Sequence, residues 1–171
     1  MDFFDLIQTR YSVRAYRPDP VPDETLARIL EAGRLAPTAH NNQPFQIIVV
    51  HTADRQEQLR KIYGRDWFWQ QPPLILCVCG VYQLGWVRGY DKRSYVEVDA
   101  AIVMDHMILA ATALGLGTSW IAAFNAPAAR EILELPPEVE PLIFTPLGYP
   151  NDAPKPRERK SLADLVRYEK W

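Results

Sequence analysis

The stretch Val98-Asp99-Ala100-Ala101-Ile102-Val103-Met104-Asp105-His106-Met107-Ile108-Leu109-Ala110-Ala111-Thr112-Ala113-Leu114-Gly115-Leu116-Gly117 decides the fold class. From Tyr95 or Val98 to about Leu114, apolar residues fall on nearly every side of a helix. Such a helix must lie at the centre of a domain or be covered by another subunit. A chain of 171 residues has little interior for a fully enclosed helix, so a subunit interface is expected. Gly115 and Gly117 end the helix, and Thr118 to Phe124 reads as a strand. The glycine pair is not a dinucleotide fingerprint. That pattern needs a strand before it, a helix after it and a third glycine where Trp120 stands. Met107 to Ala129 is uncharged over a length that could span a bilayer, but Gly115, Gly117, Asn125 and Pro127 interrupt it. Buried helix followed by buried strand is the better reading.

Outward from this unit, Phe45–His51, Leu74–Val81 and Leu142–Leu147 are β-rich runs and predict strands. Helices are expected at Phe3–Thr9 with Asp2 as cap, Asp23 to about Leu35, Ala53–Tyr63 and Pro127–Leu133. A last amphipathic segment runs from its cap Ser161 to Trp171. Between the first two helices, Arg10 to Tyr16 alternates and meets Pro18, Pro20 and Pro22, which predicts extended chain. The order gives an α+β class in one domain over residues 1–171, not a βαβ series.

Hydrophobic residues make up 48% of the chain and charged residues 23%, enough apolar material to offset ordering entropy. Nineteen Lys and Arg against 21 Asp and Glu leave a net charge of −2. There is no broad basic field for nucleic acid or an anionic membrane, so any anion must be held locally. Cys77 and Cys79 sit two apart in an apolar strand without geometry for a mutual disulfide, and the amino terminus lacks a basic-then-apolar start. A cytoplasmic location is expected. His40, His51 and His106 are scattered, so no metal site is expected.

The local anion site suggests itself at Arg10, Ser12 and Arg14, whose period of two places them on one face of an extended segment. Two guanidinium forks and a hydroxyl suit a phosphate. The tail Lys155-Pro156-Arg157-Glu158-Arg159-Lys160 is a second basic cluster that closes on the first if the chain ends meet. Thr38 to Gln43 offers hydroxyl, imidazole and carboxamide groups able to read the edge of a planar heterocycle. Trp67, Phe68 and Trp69 form an aromatic knot, and Trp67, Trp69, Trp86 and Tyr90 are candidates to line a ligand pocket.

Taken together, four segments bring the chain to a known family. Arg10-Tyr11-Ser12-Val13-Arg14-Ala15-Tyr16, Ala36-Pro37-Thr38-Ala39-His40-Asn41-Asn42-Gln43-Pro44-Phe45, Ala113 to Phe124, and Leu147-Gly148-Tyr149-Pro150 with the basic tail resemble the short form of the FMN-dependent nitroreductase family. The resemblance implies a mixed sheet of four or five strands flanked by helices, in an intertwined homodimer with two FMN molecules at the interface. It implies that Arg10, Tyr11, Ser12 and Arg14 contact the cofactor's phosphate and ring edge, with Arg157 and Arg159 as phosphate partners. Pro37, Thr38, Ala39, Asn41 and Gln43 resemble the loop lent by the other subunit. Ala122 and Ala123 stand where relatives often carry Gly or Glu-Gly and offer backbone N–H groups to the flavin. The implied activity is ping-pong hydride transfer from NADH or NADPH to the flavin, then to a nitro compound, quinone or similar planar acceptor. No catalytic side-chain nucleophile is expected. Alternatives on the same fold are a dehalogenase, a flavin-cleaving enzyme, or a flavin-binding or regulatory protein with little turnover.

Overall fold

The computed structural model describes all 171 residues. Its centre is β2 (Leu74–Val81), buried along nearly its whole length, and a strand covered on both faces reads as a continuous apolar run. It lies between β1 (Phe45–His51) and β4 (Val139–Gly148), and β3 (Gly117–Thr118) completes the order β1-β2-β4-β3. All three pairings are antiparallel. The parallel component of the sheet is one bridge, Ser12 to Thr118, where the amino-terminal extended segment joins the edge.

Side chains leave β2 alternately to two cores. Leu74, Leu76 and Val78 pack under α2 (Asp23–Arg34) and α5 (Val96–Ala113). Ile75, Cys77 and Cys79 pack on the other face, with α3 (Gln56–Ile62), α4 (Asp66–Trp69) and α6 (Ala126–Ile132). Two helical layers thus enclose one sheet, the α+β arrangement expected.

Helix α5 buries Val96, Asp99, Ala100, Val103, Met104, Met107, Ile108 and Ala111, the spacing of one helical face. Its other side mixes exposed Glu97 and Asp105 with apolar residues that are not buried: Val98 is 40% exposed, and Ile102 and Leu109 are only half-buried. Helix α1 (Phe3–Thr9), capped by Asp2 as expected, buries nothing and presents Phe3, Phe4 and Ile7 to solvent. At the end of α5, Gly115 takes φ +77 and the Leu116 N–H reaches back to the Ala111 carbonyl at 2.8 Å. This is a left-handed glycine cap that turns the chain into β3.

The strand expected over Thr118 to Phe124 is shorter, for an identifiable reason. Its register on β4 continues to the Ile121–Phe144 bridge, but the position opposite Ser119 is Pro146, which has no N–H. The Ser119 N–H bonds instead to Thr145 Oγ1 at 3.0 Å. The helix expected from Ala53 starts at Gln56 because Asp54 is left-handed, at φ 59. The carboxy-terminal amphipathic segment is helical only in α7 (Leu162–Leu165), closed by a Ser161–Asp164 capping box.

Candidate functional site

Both chain ends are laid against one sheet edge. The Val13 N–H bonds to the Thr118 carbonyl at 2.9 Å, Arg17 N–H to Tyr149 at 2.9 Å, and Asn151 N–H to Ala15 at 2.8 Å. The next residue, Asp152, adds its side chain to the contact. Asp152 Oδ2 accepts from the Arg14 N–H at 2.9 Å. The Tyr11 hydroxyl donates to the Asp152 carbonyl at 2.9 Å and to Oδ1 at 3.1 Å. Desolvation, then the hydrogen bond and charge of Asp152, push the Tyr11 phenol up to about 12.

These contacts produce a cleft of about 980 Å³ in which the two basic clusters meet. Arg10 and Ser12 line one side, Lys155, Arg157 and Arg159 the other, and no carboxylate lines it. Arg10 and Ser12 are half-buried, while the tail residues are exposed. None of the three arginines is in an ion pair. Arg14 departs from the expected single face. It lines a neighbouring depression of about 190 Å³ with Ser12, Asp152 and Arg157, and its guanidinium stands 5.9 Å from the centre of the Trp67 ring. The larger cleft fits a phosphate, since unpaired guanidinium and ammonium donors converge there without a competing acid.

The second candidate group, Thr38 to Gln43, folds into a tight, strained turn. His40, Asn41 and Gln43 all have positive φ, between 51 and 56, and this is held by local bonds. Gln43 N–H donates to Thr38 Oγ1 at 3.1 Å, and Gln43 Nε2 to the Asn41 carbonyl at 3.1 Å. His40 stacks on Trp86 at 5.5 Å, and Asn42 Nδ2 donates to the Leu84 carbonyl at 3.1 Å. The loop's root is the Ala39 N–H, bonded at 2.9 Å to Oδ1 of the buried Asp99. Pro37 and Asn41 are exposed; Thr38 and Ala39 are half-buried.

Loop and cleft do not meet within one protomer. The loop is anchored at the first turn of α5. The cleft adjoins its last turn, where Thr9 and Tyr11 border a 140 Å³ pocket with Thr112 and Gly115. From Asp99 to Thr112 the helix rises roughly 20 Å. Ala122 and Ala123 lie exposed just past Ile121, and neither has positive φ, so their Cβ atoms strain nothing.

Of the aromatic knot, Phe68 is core, edge-on to Tyr63 and Phe144. Trp67 borders the site through Arg14, and Trp86 buttresses the loop through His40. Tyr90 is fully exposed. Cys77 and Cys79 are free and buried, with sulfurs 3.5 Å apart, and burial pushes the Cys77 thiol up. No cluster of three His, Cys, Asp or Glu side chains forms a metal site. No helix is long and apolar enough to cross a membrane. Asp99 holds the loop, and Asp152 and Lys155 stand at the cleft and its neighbouring depression, three residues outside the motifs read as cofactor contacts. Lys155 was visible in the basic run, whereas the two acids carried no pattern of their own.

The profile of the Nitroreductase family matches residues 7–73 and 60–149. A Methanothermobacter thermautotrophicus protein bearing the paired name NADH dehydrogenase/NAD(P)H nitroreductase is 30% identical over 175 residues, spanning all of this chain and 88% of its own. An FMN reductase [NAD(P)H] of Bacillus subtilis is 32% identical over 85% of this chain and 66% of its own. The crystal structure of a nitroreductase family protein from Clostridium difficile superposes with a TM-score of 0.91 at 35% identity, covering both chains entirely. On sequence and fold together, this chain belongs to the nitroreductase family.

Proposed function

We propose that this oxidoreductase is an FMN-dependent NAD(P)H oxidoreductase acting on a nitro compound, quinone or similar planar acceptor, as a homodimeric single domain over residues 1–171. The observation that carries the reading is the acid-free cleft in which Arg10, Arg157 and Arg159 arrive unpaired from opposite chain ends. When bound there, FMN supplies the redox chemistry, hydride in from a reduced nicotinamide and hydride out to the acceptor in a separate half-reaction.

The residues of the chain bind and orient. Arg10, Ser12, Arg157 and Arg159 hold the phosphate through charge-assisted bonds, the strongest available to side chains. Arg14 and the Ala122 and Ala123 N–H groups would serve the ring end of the cofactor, stabilising negative charge there. Pro37, Thr38, Ala39, Asn41 and Gln43 contribute from the other subunit. If two α5 helices pack antiparallel through the faces that carry Val98 and Leu109, the first turn of one lies beside the last turn of the other. That pairing carries the partner's loop the roughly 20 Å it lacks within a protomer.

The test is a visible spectrum of the protein mixed with FMN, then with NADH under anaerobic conditions. Bound flavin that bleaches and recovers on adding a quinone or nitroaromatic is the expected result. No flavin binding would refute the cofactor reading, and binding without bleaching would leave a flavin carrier rather than an enzyme.

A further inference from the structure

We propose that Asp152 is a positioning residue for the phosphate end of the cofactor, an acidic latch that fixes where the basic tail lies against the amino-terminal segment. The inference rests on the reading that the cleft holds the FMN phosphate. It concerns a part of the chain beyond the family profile, which ends at residue 149.

From Asn151 onward every residue is exposed, so no apolar packing holds the tail in place. Its strand-like contacts end with the Asn151 N–H at 2.8 Å from the Ala15 carbonyl. The next residue makes three bonds to the amino-terminal segment, from the Tyr11 hydroxyl at 2.9 and 3.1 Å and from the Arg14 N–H at 2.9 Å. Between Ala153 and Lys160 no hydrogen bond joins the tail to the rest of the chain. Asp152 is therefore the last anchor before Lys155, Arg157 and Arg159, the residues that form the far wall of the cleft. Without it, those cations belong to an untethered segment, and ordering them on ligand binding costs conformational entropy.

Asp152 lines the smaller depression together with Arg14, Lys155 and Arg157. As a charge alone it repels a phosphate, so its removal would tighten binding. As a latch it has the reverse effect. Asp152→Asn separates the two, because it removes the charge while its single side-chain oxygen can still accept from the Arg14 N–H and the backbone carbonyl at 152 still accepts from Tyr11.

The experiment titrates cofactor-free full-length protein with FMN and with riboflavin, which has the same ring but no phosphate, and follows quenching of flavin fluorescence. Asp152→Ala is expected to weaken FMN binding by about tenfold or more, the scale of a lost charged contact, with riboflavin affinity kept. Asp152→Asn holds FMN within about twofold of the parent or tighter. Tyr11→Phe, which removes the phenol donor to Asp152 without changing any charge, weakens FMN in the same direction. The inference is overturned if Asp152→Ala leaves FMN affinity unchanged or raises it, or if FMN and riboflavin weaken together, as a general loss of structure would cause. If the parent protein binds FMN no better than riboflavin, the phosphate reading itself fails, and the latch with it.

Discussion

Arg10 and Arg159 enter the same cleft from positions 149 residues apart in sequence, and neither has a carboxylate to neutralise it. Arg10→Ala and Arg159→Ala should each weaken FMN binding by about 1.5 to 3 kcal/mol, the range for a hydrogen bond to a charged group, as read by fluorescence titration. Unchanged dissociation constants in both would remove the phosphate from this cleft. The two arginines were legible because basic residues at period two, and a basic run after a proline, are patterns. Asp152 was not, since one acid beside a basic tail looks like an ordinary solvated charge. Asp99 was hidden differently: one carboxylate on an apolar helix says nothing about the loop it will hold. Tyr11 carries a pH signature. Its phenol titrates near 12 in the folded chain against 10 when unfolded, so the folded state keeps a proton that the unfolded state has released. The stability this gives is complete below pH 10 and is lost as pH rises toward 12. In urea melts across that window Tyr11→Phe should lose stability less steeply than the parent, although Tyr82, raised to about 12 by burial and by its hydrogen bond to Glu97, and the buried Tyr16, also raised, keep part of the slope. A parallel decline in both proteins would mean that the Tyr11–Asp152 contact is not formed in solution.

Helix α5 explains why some elements were readable and others not. Phe45–His51 and Leu74–Val81 match β1 and β2 residue for residue: β2, buried on both faces, declares itself by an uninterrupted apolar run, and β1, a half-buried edge strand, by the β-branched run Ile47 to Val50. Strand β3 was overestimated because its limit is set by a proline on the neighbouring strand, a constraint invisible along its own sequence. The short turns at Ala39–Asn41 and Asp66–Trp69 depend on tertiary contacts that local propensity does not encode, the Asp99 carboxylate for the first and the burial of Phe68 against Tyr63 and Phe144 for the second. The apolar circumference of α5 was plain from the sequence, yet the protomer buries only one face of it. Leu109, half-buried on the open face, is the place to test what covers the other. Leu109→Glu puts a charge where a partner helix is expected and should shift the protein toward monomer in sedimentation velocity. Far-UV circular dichroism should stay unchanged, because no internal contact of the core is removed. A dimer that tolerates the glutamate would mean that this face is not the seam.

The distribution of candidate contacts over the whole molecule makes a stronger demand than either residue or helix alone. The cleft and the loop of Thr38 to Gln43 lie at opposite ends of α5, so a flavin gripped by both must draw on two protomers. In a two-fold dimer each site then combines the arginines of one chain with the loop of the other, and the two contributions are separable by mixing. Take one variant with Arg10→Ala and Arg159→Ala, and a second with Asn41→Ala and Gln43→Ala, each binding FMN poorly as a homodimer. Unfolded together and refolded at equal amounts, they form hybrids in half of all dimers. Each hybrid pairs the intact arginines of the second variant with the intact loop of the first. One of its two sites is whole and the other is doubly damaged, so tight FMN binding should return at about one quarter of all sites. Equilibrium titration of the mixture reads that fraction directly. Recovery near zero would place loop and cleft contacts on the same chain, which the roughly 20 Å rise of α5 between them opposes, or would remove the loop from the flavin site altogether.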